Sequence, residues 1–176
     1  MNKNILVVSI HPDDETLGCG GSLLKLKEQG NEIYCVYASS GNENQKRIIP
    51  KINEEYGFKK AFNLNFPELA IDDISLNTLI PAFAKVINEI KPEIIFVPNR
   101  SDVHSDHRKI FKALIAVTKS FRFQFIKKIL MYEVISETDF APALPENIFQ
   151  PNVFVDISKQ FEQKLKIYKY FDSEIL

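Results

Sequence analysis

Apolar runs of strand length alternate along this chain with segments in which apolar residues recur at helical spacing. Continuous or short apolar runs predict strands at residues 4–10, 32–38, 61–64, 93–97, 129–134 and 153–155. Apolar residues three and four positions apart predict helices at residues 16–29, 44–56, 76–90, 104–119 and 159–173. Because no repeat, low-complexity tract or linker divides the chain, we predict a single domain over residues 1–176.

The alternation of strands and helices is typical of βαβ units, which build largely parallel sheets through right-handed connections. The run at residues 94–97 is apolar at every position, so we expect helices to cover both faces of the sheet. We therefore predict an α/β fold, namely a Rossmann-like three-layer α/β/α sandwich with a mainly parallel sheet.

The composition is that of an ordinary globular protein, with 45% apolar and 26% charged residues. The net charge of -1 argues against broad binding to nucleic acid or anionic membranes. The apolar runs are too short to span a bilayer and we find no signal peptide, so we expect a cytoplasmic protein without stable membrane insertion. We expect Cys19 and Cys35 to be small buried apolar residues rather than partners in a disulfide. Cys19 is also a candidate metal ligand.

The most informative stretch is His11-Pro12-Asp13-Asp14-Glu15, which follows the first apolar run. Charges at the end of a buried strand are costly to desolvate unless a metal ion or another strong partner offsets the cost. The glycines that follow, at Gly18, Gly20 and Gly21, do not match the G-x-G-x-x-G pattern of a dinucleotide site, which favours close packing of a helix on the sheet. The stretch therefore predicts one half of a metal site.

A second polar cluster, Asp102 to His107, begins just after the predicted strand 93–97 and contains His104 and His107. In a doubly wound sheet, the first strand and the strand that begins the second half are neighbours, and a crevice opens at their carboxyl ends. We therefore expect the two clusters to share one crevice. Two histidines and a carboxylate form a recognised catalytic zinc site, and adjacent Asp13 and Asp14 could divide the roles of base and ligand.

The sequence resembles the PIG-L (LmbE-like) family of zinc-dependent N-acetylglucosamine deacetylases. The resemblance is carried by His11 to Glu15 and by His104-Ser105-Asp106-His107, each after a predicted strand, and extends to residues 131–134 and 151–157. It implies that His11, Asp14 and His107 hold Zn²⁺. Because imidazole suits both zinc and iron, Fe²⁺ is the alternative ion.

The resemblance also implies roles for the other polar residues. Asp13 would be the general base that activates the attacking water. His104 would stabilise the tetrahedral oxyanion or protonate the leaving amine, and Asp106 would orient His104.

Glu15 has two equal interpretations, as a partner of a ligand or as an acidic residue at a helix N-terminus. Asp102 is either a partner of a ligand histidine or a loop residue.

The implied reaction is hydrolysis of the acetyl group from an N-acetylglucosamine-like sugar or sugar conjugate. Family members commonly carry an Arg and a Glu near the sugar, but Arg47, Glu54 and Glu55 do not align with them, so the sugar contacts stay unassigned. One alternative is a metal-dependent hydrolase of another bond, such as a phosphoester, whose two-metal sites generally need more ligands. The other is a non-catalytic Rossmann module that binds a nucleotide or sugar.

Two further features of the sequence bear on the oligomeric state and on the length of the chain. Residues 121–125 alternate like an edge strand, which we assign to the core, with a subunit contact and thus a homo-oligomer as the alternative. Family members usually continue past a helix like 159–173, so this chain is either a short member or one cut at its C-terminus, and we favour a shortened chain.

Overall fold

The computed structural model describes residues 2–171 of the chain. Five strands form one sheet in which every neighbouring pair is parallel: β1 (Asn4–Ser9), β2 (Glu32–Ser39), β3 (Lys60–Phe66), β4 (Ile94–Pro98) and β5 (Lys128–Tyr132). The helices are α1 (Asp14–Leu17), α2 (Gly20–Glu28), α3 (Glu43–Tyr56), α4 (Leu76–Ile90), α5 (Ser105–Val117) and α6 (Phe161–Tyr168), with a 3₁₀ turn at Ile71–Asp73. The predicted α/β fold with a mainly parallel sheet is confirmed.

The sheet has the strand order β3-β2-β1-β4-β5, so the chain reverses its direction of winding at β1. Ile5 of β1 pairs with Ile33 of β2 on one side and with Ile94 of β4 on the other. Because β1 and β4 are parallel neighbours, their carboxyl ends open onto the same crevice. This is the position at which the two polar clusters follow their strands.

Successive side chains of each strand point to opposite faces, and each face has its own core. One core joins the sheet to α4 and α5 through buried residues that include Val8, Val97, Phe83, Ile87 and Leu114. The other joins it to α2, α3 and α6 through residues that include Val7, Cys35, Leu23, Ile52 and Ile167. Helices thus cover both faces of the sheet, as the apolar strands predicted.

Three predicted elements differ from the structure. The helix predicted at 16–29 is divided into α1 and α2 around Gly18 and Cys19. The strand predicted at 153–155 is wrong, since this stretch joins no sheet and Phe154 is 81% exposed. The segment 121–125 forms turns rather than an edge strand, although Phe123 is buried in the core. Residues 121–125 and 153–155 have high β-propensity, but neither segment has a neighbouring strand with which it could pair.

Residues 172–176, where the sequence offers no helix stop signal, lie outside the described residues. Within residues 2–171 no helix has both the length and the apolar character needed to cross a membrane.

The glycines after β1 allow close packing, as predicted. A Cβ atom at Gly18 would lie 2.2 Å from the ring of Tyr132 and 2.6 Å from the backbone oxygen of Glu133. The Tyr132 ring has little room to move, because its hydroxyl donates a hydrogen bond of 2.8 Å to the backbone oxygen of Val8.

The substitution Gly18→Ala should therefore lower the free energy of unfolding by about 1–3 kcal/mol, since the backbone must shift to relieve the contact. Urea unfolding at fixed pH measures this change. Lys27→Ala, at an exposed position of α2, is the control and should stay within about 0.5 kcal/mol of wild type. Equal midpoints for Gly18→Ala and wild type would contradict the packing role.

Candidate active site

The first half of the site is the loop between β1 and α1. His11 and Asp14 are buried there. The Asp14 oxygen Oδ2 accepts hydrogen bonds from the backbone N–H groups of Ile10 at 2.8 Å and His11 at 2.9 Å. The loop backbone therefore fixes the orientation of the Asp14 carboxylate at the end of β1.

The second half of the site lies between β4 and the first turn of α5. The helix begins at Ser105, so His104 is its N-cap rather than a residue of its first turn. Nδ1 of His104 accepts a hydrogen bond from the backbone N–H of Asp106 at 3.2 Å. The backbone N–H of His104 in turn donates to Glu137, a residue that the sequence analysis did not identify. These contacts fix His104 at the mouth of the crevice, while Asp106 and His107 are buried behind it.

The pairing of β1 with β4 brings both halves together. Nε2 of His107 lies 3.3 Å from Nδ1 of His11 and 3.5 Å from Oδ2 of Asp14. The ring of His104 has its centre 4.5 Å from that of His11 and 5.3 Å from that of His107. All three histidines of the chain thus meet in one crevice, as the topology predicted.

His11 and His107 each direct their other ring nitrogen at a buried carboxylate. Oδ2 of Asp102 lies 2.9 Å from Nδ1 of His107, and Oδ2 of Asp106 lies 3.2 Å from Nε2 of His11. If each ring carries its proton on the nitrogen that faces its carboxylate, the two remaining nitrogens face each other with lone pairs. A second proton or a metal ion must then lie between them.

A zinc-sized ion fits this arrangement. Ligand atoms about 2.1 Å from a tetrahedral ion lie about 3.4 Å from one another, which matches the separations from Nε2 of His107 to His11 and Asp14. The ligand atoms of His11, Asp14 and His107 all lie within 4.8 Å of one another. A proton shared between two imidazoles would not need a negative charge beside it. The carboxylate of Asp14 supplies such a charge, which favours a divalent ion. The three residues therefore form a His/Asp/His group able to hold a divalent ion.

A second group of possible ligands, formed by His11, His104 and Asp106, is less suited to an ion. The Asp106 carboxylate already accepts hydrogen bonds from three backbone N–H groups of the segment that follows β3, those of Leu69, Ile71 and Asp72. Both of its oxygens thus have donors, whereas the two backbone donors of Asp14 share the one oxygen Oδ2. This group supports the first one rather than holding an ion of its own.

The two histidines of the second cluster differ in their affinity for protons. Burial disfavours a charged His107, but the carboxylates of Asp14 and Asp102 outweigh burial and raise its pKa. Burial, followed by the nearby rings of His11 and His107, lowers the pKa of His104. Because an imidazole must be deprotonated to bind a metal, an ion has to displace the proton that these carboxylates favour on His107.

Asp13 adopts an unusual backbone conformation next to the ligand group. Its φ angle is +153°, in a region that side-chain-bearing residues rarely adopt, at a cost of about 1–3 kcal/mol. Nε2 of Gln45 donates to Oδ2 of Asp13 at 3.3 Å and to the backbone oxygen of Pro12 at 3.1 Å. Gln45 also closes the capping box of α3 with Asn42, so the start of that helix is attached to Asp13.

Gln45 was missed by the sequence analysis. The Asn42-x-x-Gln45 spacing could have identified a helix start there, because it matches a capping box. Nothing in the sequence indicates that the amide of Gln45 also reaches the loop after β1.

Glu15 is fully buried behind the loop that carries Asp13. Its Oε2 lies 2.6 Å from the hydroxyl of Ser9 and accepts the backbone N–H of Asp13 at 3.3 Å, and its Oε1 accepts the hydroxyl of Thr16 at 2.9 Å. Glu15 lies in the first turn of α1, as the second interpretation has it, and its hydrogen bonds join that turn to Ser9 and to the backbone of Asp13 rather than to the side chain of a possible ligand.

The hydroxyl of Ser9 has two close oxygen neighbours but one proton. It lies 2.5 Å from the backbone oxygen of His11, which can only accept a hydrogen bond. The same hydroxyl can donate to Oε2 of Glu15 at 2.6 Å, and this hydrogen bond lowers the pKa of the Glu15 carboxyl. Burial outweighs this effect and raises the pKa of Glu15 to about 7.

A groove of about 550 Å³ opens where β2 and β3 end, and its lining residues are separate from the two groups of possible ligands. Its polar lining includes Ser40, Asn63 and Asn65, with one cation, Lys46, and one anion, Glu68. The volume lies in the range of small-molecule sites. Hydroxyl, amide and balanced charged groups suit a neutral, hydroxylated ligand.

An irregularity in β3 shapes this groove. The pairing of β2 with β3 passes from Tyr37 opposite Asn63 to Ser39 opposite Phe66, so β3 contains one extra residue. Asn65, within the extra stretch, has a φ angle of +55°. Bulges of this kind occur next to active sites, where they redirect side chains.

Other candidates from the sequence lie away from the ligand group. Glu55 receives hydrogen bonds from Lys166 and Tyr170, so it joins α3 to the C-terminal part of the chain. Cys19 is buried in the core and belongs to neither group of possible ligands found among residues 2–171. Burial raises the pKa of its thiol, which disfavours the thiolate form that binds metals.

The raised pKa of Glu15 predicts a pH dependence of stability. The folded protein holds this proton up to about pH 7, whereas the unfolded value is 4.5, so Glu15 stabilises the fold most below pH 4.5 and this contribution is lost as the pH rises through 7. Glu15→Gln removes this titration. Between pH 4.5 and 8, metal-free wild type should lose on the order of 3 kcal/mol more stability than the variant. Urea unfolding of both proteins across this range measures the difference, and parallel profiles would contradict the assignment.

Comparisons with known proteins agree with the fold and the crevice. The family model described as PIG-L, GlcNAc-PI de-N-acetylase, matches residues 6–118. The uncharacterized deacetylase YaiS of Escherichia coli K12 is 30% identical over 158 residues, which cover 83% of this chain and 82% of that protein. A probable N-acetyl-alpha-D-glucosaminyl L-malate deacetylase 2 of Bacillus cereus is 24% identical over 94% of this chain and 80% of its own length.

A solved structure with a similar fold is that of the N,N'-diacetylchitobiose deacetylase from Pyrococcus horikoshii, with a TM-score of 0.77 and 21% identity. The match covers 99% of this chain and 71% of that one. The predicted resemblance and the prediction of an N-deacetylase are confirmed. On the match to the family model and the similarity to YaiS, the chain belongs to the PIG-L family of deacetylases.

Proposed function

We propose that this protein is a zinc-dependent hydrolase that removes the acetyl group from an N-acetylglucosamine-like sugar or sugar conjugate. The observation that carries the proposal is the pair of facing imidazole nitrogens of His11 and His107 beside Asp14. The names of the relatives, an N-acetylglucosaminyl-malate deacetylase and a diacetylchitobiose deacetylase, support an N-acetylated sugar as the substrate.

His11, Asp14 and His107 would hold the ion, with Zn²⁺ as the proposed metal and Fe²⁺ as the alternative, because imidazole suits both. When bound, the ion would polarise the acetyl carbonyl and make a water molecule more acidic. Asp102 and Asp106 would keep the ring protons of the two histidines on the nitrogens that face away from it, which makes the ligand nitrogens more basic.

Asp13 would act as the general base that takes a proton from the attacking water. Its position directly before the ligand Asp14, in the strained part of the loop, supports this role. Gln45 binds one carboxylate oxygen and so limits rotation of the side chain. A base that is fixed in this way loses little conformational entropy during the reaction.

His104 would donate a proton or a hydrogen bond during the same reaction. Because its Nδ1 accepts the backbone N–H of Asp106, the neutral ring carries its proton on Nε2. This N–H can stabilise the negative charge that develops on the carbonyl oxygen. To protonate the leaving amine as the C–N bond breaks, the ring would first have to take up a second proton and act as the imidazolium. The products are acetate and the free amine of the sugar.

The groove at the ends of β2 and β3 would hold the rest of the substrate. It begins about one to two strand spacings, each about 4.8 Å, from the crevice between β1 and β4. Its balanced charges favour a neutral hydroxylated group over a phosphate. A screen of N-acetylhexosamine mono- and disaccharides for zinc-dependent acetate release tests the proposed function, and no release from any of them would contradict it.

The substitution Asp13→Asn should lower kcat by at least about a hundredfold, because an amide cannot take the proton of the attacking water. The Asn side chain has the size of Asp and can still accept the hydrogen bond from Gln45, so the variant should retain zinc. Acetate release and elemental analysis measure the two quantities. Turnover close to wild type would remove Asp13 from the role of base.

The substitution His107→Ala should abolish stoichiometric zinc binding, because it removes a ligand and leaves Asp102 facing a cavity. His104→Ala is the matched control, since this ring belongs to the crevice but not to the proposed ligand group. It should keep one zinc ion per chain and lose turnover. A full zinc complement in His107→Ala after dialysis would contradict the ligand assignment.

A further inference from the structure

The carboxylate of Asp106 is the point at which four hydrogen-bond donors from two parts of the chain meet. Oδ2 lies 3.2 Å from Nε2 of His11 and accepts the backbone N–H of Leu69 at 3.0 Å. Oδ1 accepts the backbone N–H groups of Ile71 at 3.0 Å and Asp72 at 3.3 Å. The side chain is fully buried, so these donors rather than water satisfy it.

We infer that Asp106 is a positioning residue that joins the metal ligand His11 to the segment 69–72, and thereby links metal affinity to the position of the groove wall. The inference rests on the proposed metal site and deepens it. It differs from the role implied by the resemblance, in which Asp106 orients His104.

The contact between Asp106 and His104 explains this difference. It runs from the backbone N–H of Asp106 to Nδ1 of His104, so it does not depend on the side chain at position 106. The side chain instead faces His11 and the segment after β3. A substitution at Asp106 should therefore affect the ion ligand first and leave the orientation of His104 in place.

The segment 69–72 depends on this carboxylate for its backbone hydrogen bonds. Leu69 has a φ angle of +60° and is 74% exposed, so its own side chain does little to hold the turn. Ile71 is buried in the core and anchors the 3₁₀ turn from below. The segment directly follows Glu68, which lines the groove, so its position sets one wall of the groove.

A second hydrogen bond from α5 supports the segment 69–72 independently of Asp106. Nζ of Lys109 donates to the backbone oxygen of Asp72 at 2.7 Å. Lys109 thus supports the segment from the same helix as Asp106 but has no hydrogen bond to His11. Asp102 is the reverse case, because it contacts the ligand His107 and has no hydrogen bond to residues 69–72.

These contacts predict that zinc binding and the order of the segment are coupled. An ion bound at Nδ1 of His11 would make the Nε2–H a stronger donor and strengthen its bond to Asp106. A carboxylate that is held more firmly holds the backbone of Leu69, Ile71 and Asp72 more firmly. Coupling of this kind acts in both directions.

The test measures two quantities for each protein: the zinc dissociation constant by competition with a chelator, and the hydrogen exchange of the backbone amides of residues 69, 71 and 72. In Asp106→Asn, an NH₂ group replaces one of the two acceptor oxygens. The donors that face this oxygen then lose their acceptor. Zinc affinity should fall about 10–100-fold and exchange should become at least about tenfold faster.

Two variants separate the functions. Asp102→Asn should weaken zinc binding to a similar extent and leave the three amides unchanged. Lys109→Ala should speed exchange at residue 72 and leave zinc affinity unchanged. Wild-type zinc affinity in Asp106→Asn, with loss of turnover alone, would overturn the inference in favour of the role on His104.

A measurement on wild type keeps the inference testable even if Asp106→Asn fails to fold. Saturation with zinc should slow exchange at residues 69, 71 and 72, and equal rates with and without zinc would overturn the coupling. Exchange of the β1 amides in the variant reports whether its core is intact. The proposed deacetylase activity is tested separately, because a lack of acetate release would not alter either binding readout.

Discussion

The parallel pairing of β1 with β4 is the constraint on which the rest of the site depends. Three residue pairs, from Ile5 opposite Ile94 to Val7 opposite Phe96, set the two strands side by side in register. This pairing places the loop after β1 and the start of α5 at one edge, although His11 and His107 are 96 positions apart in the chain. The cost of ordering so long a connection is offset by the two apolar cores and not by the polar residues that the sheet brings together.

The charges in the crevice are tolerated because nearly every one has a specific partner. Asp102 contacts His107 and the hydroxyl of Thr138, Asp14 accepts two backbone N–H groups, and Asp106 accepts three. Burial of a carboxylate is costly unless donors replace water, and here the backbone supplies many of them. These contacts hold the carboxylates in defined orientations, which suits the proposed role of the site in binding an ion.

The parts of this arrangement that follow from topology could be predicted from the sequence, and those that follow from loop paths could not. Alternating apolar segments predicted the parallel sheet, and the sheet predicted that His11, His104 and His107 would meet. The contacts of Gln45 and Asp106 depend on how the β2–α3 and β3–α4 connections return to the site, which no local pattern records. The error at residues 153–155 has the opposite origin, because a strong local β-propensity there has no partner strand.

The capping box of α3 restricts which residue can stand at its third position. For the helix alone, Gln and Glu are interchangeable at the third position of such a box, since either side chain can reach back to the N-cap backbone. For the site they are not, because the same Gln45 amide donates to Asp13. A carboxylate there would set two negative charges against each other beside the proposed metal ligands. A capping box can therefore use either Gln or Glu in most helices, but in this helix Asp13, a residue outside it, allows only Gln.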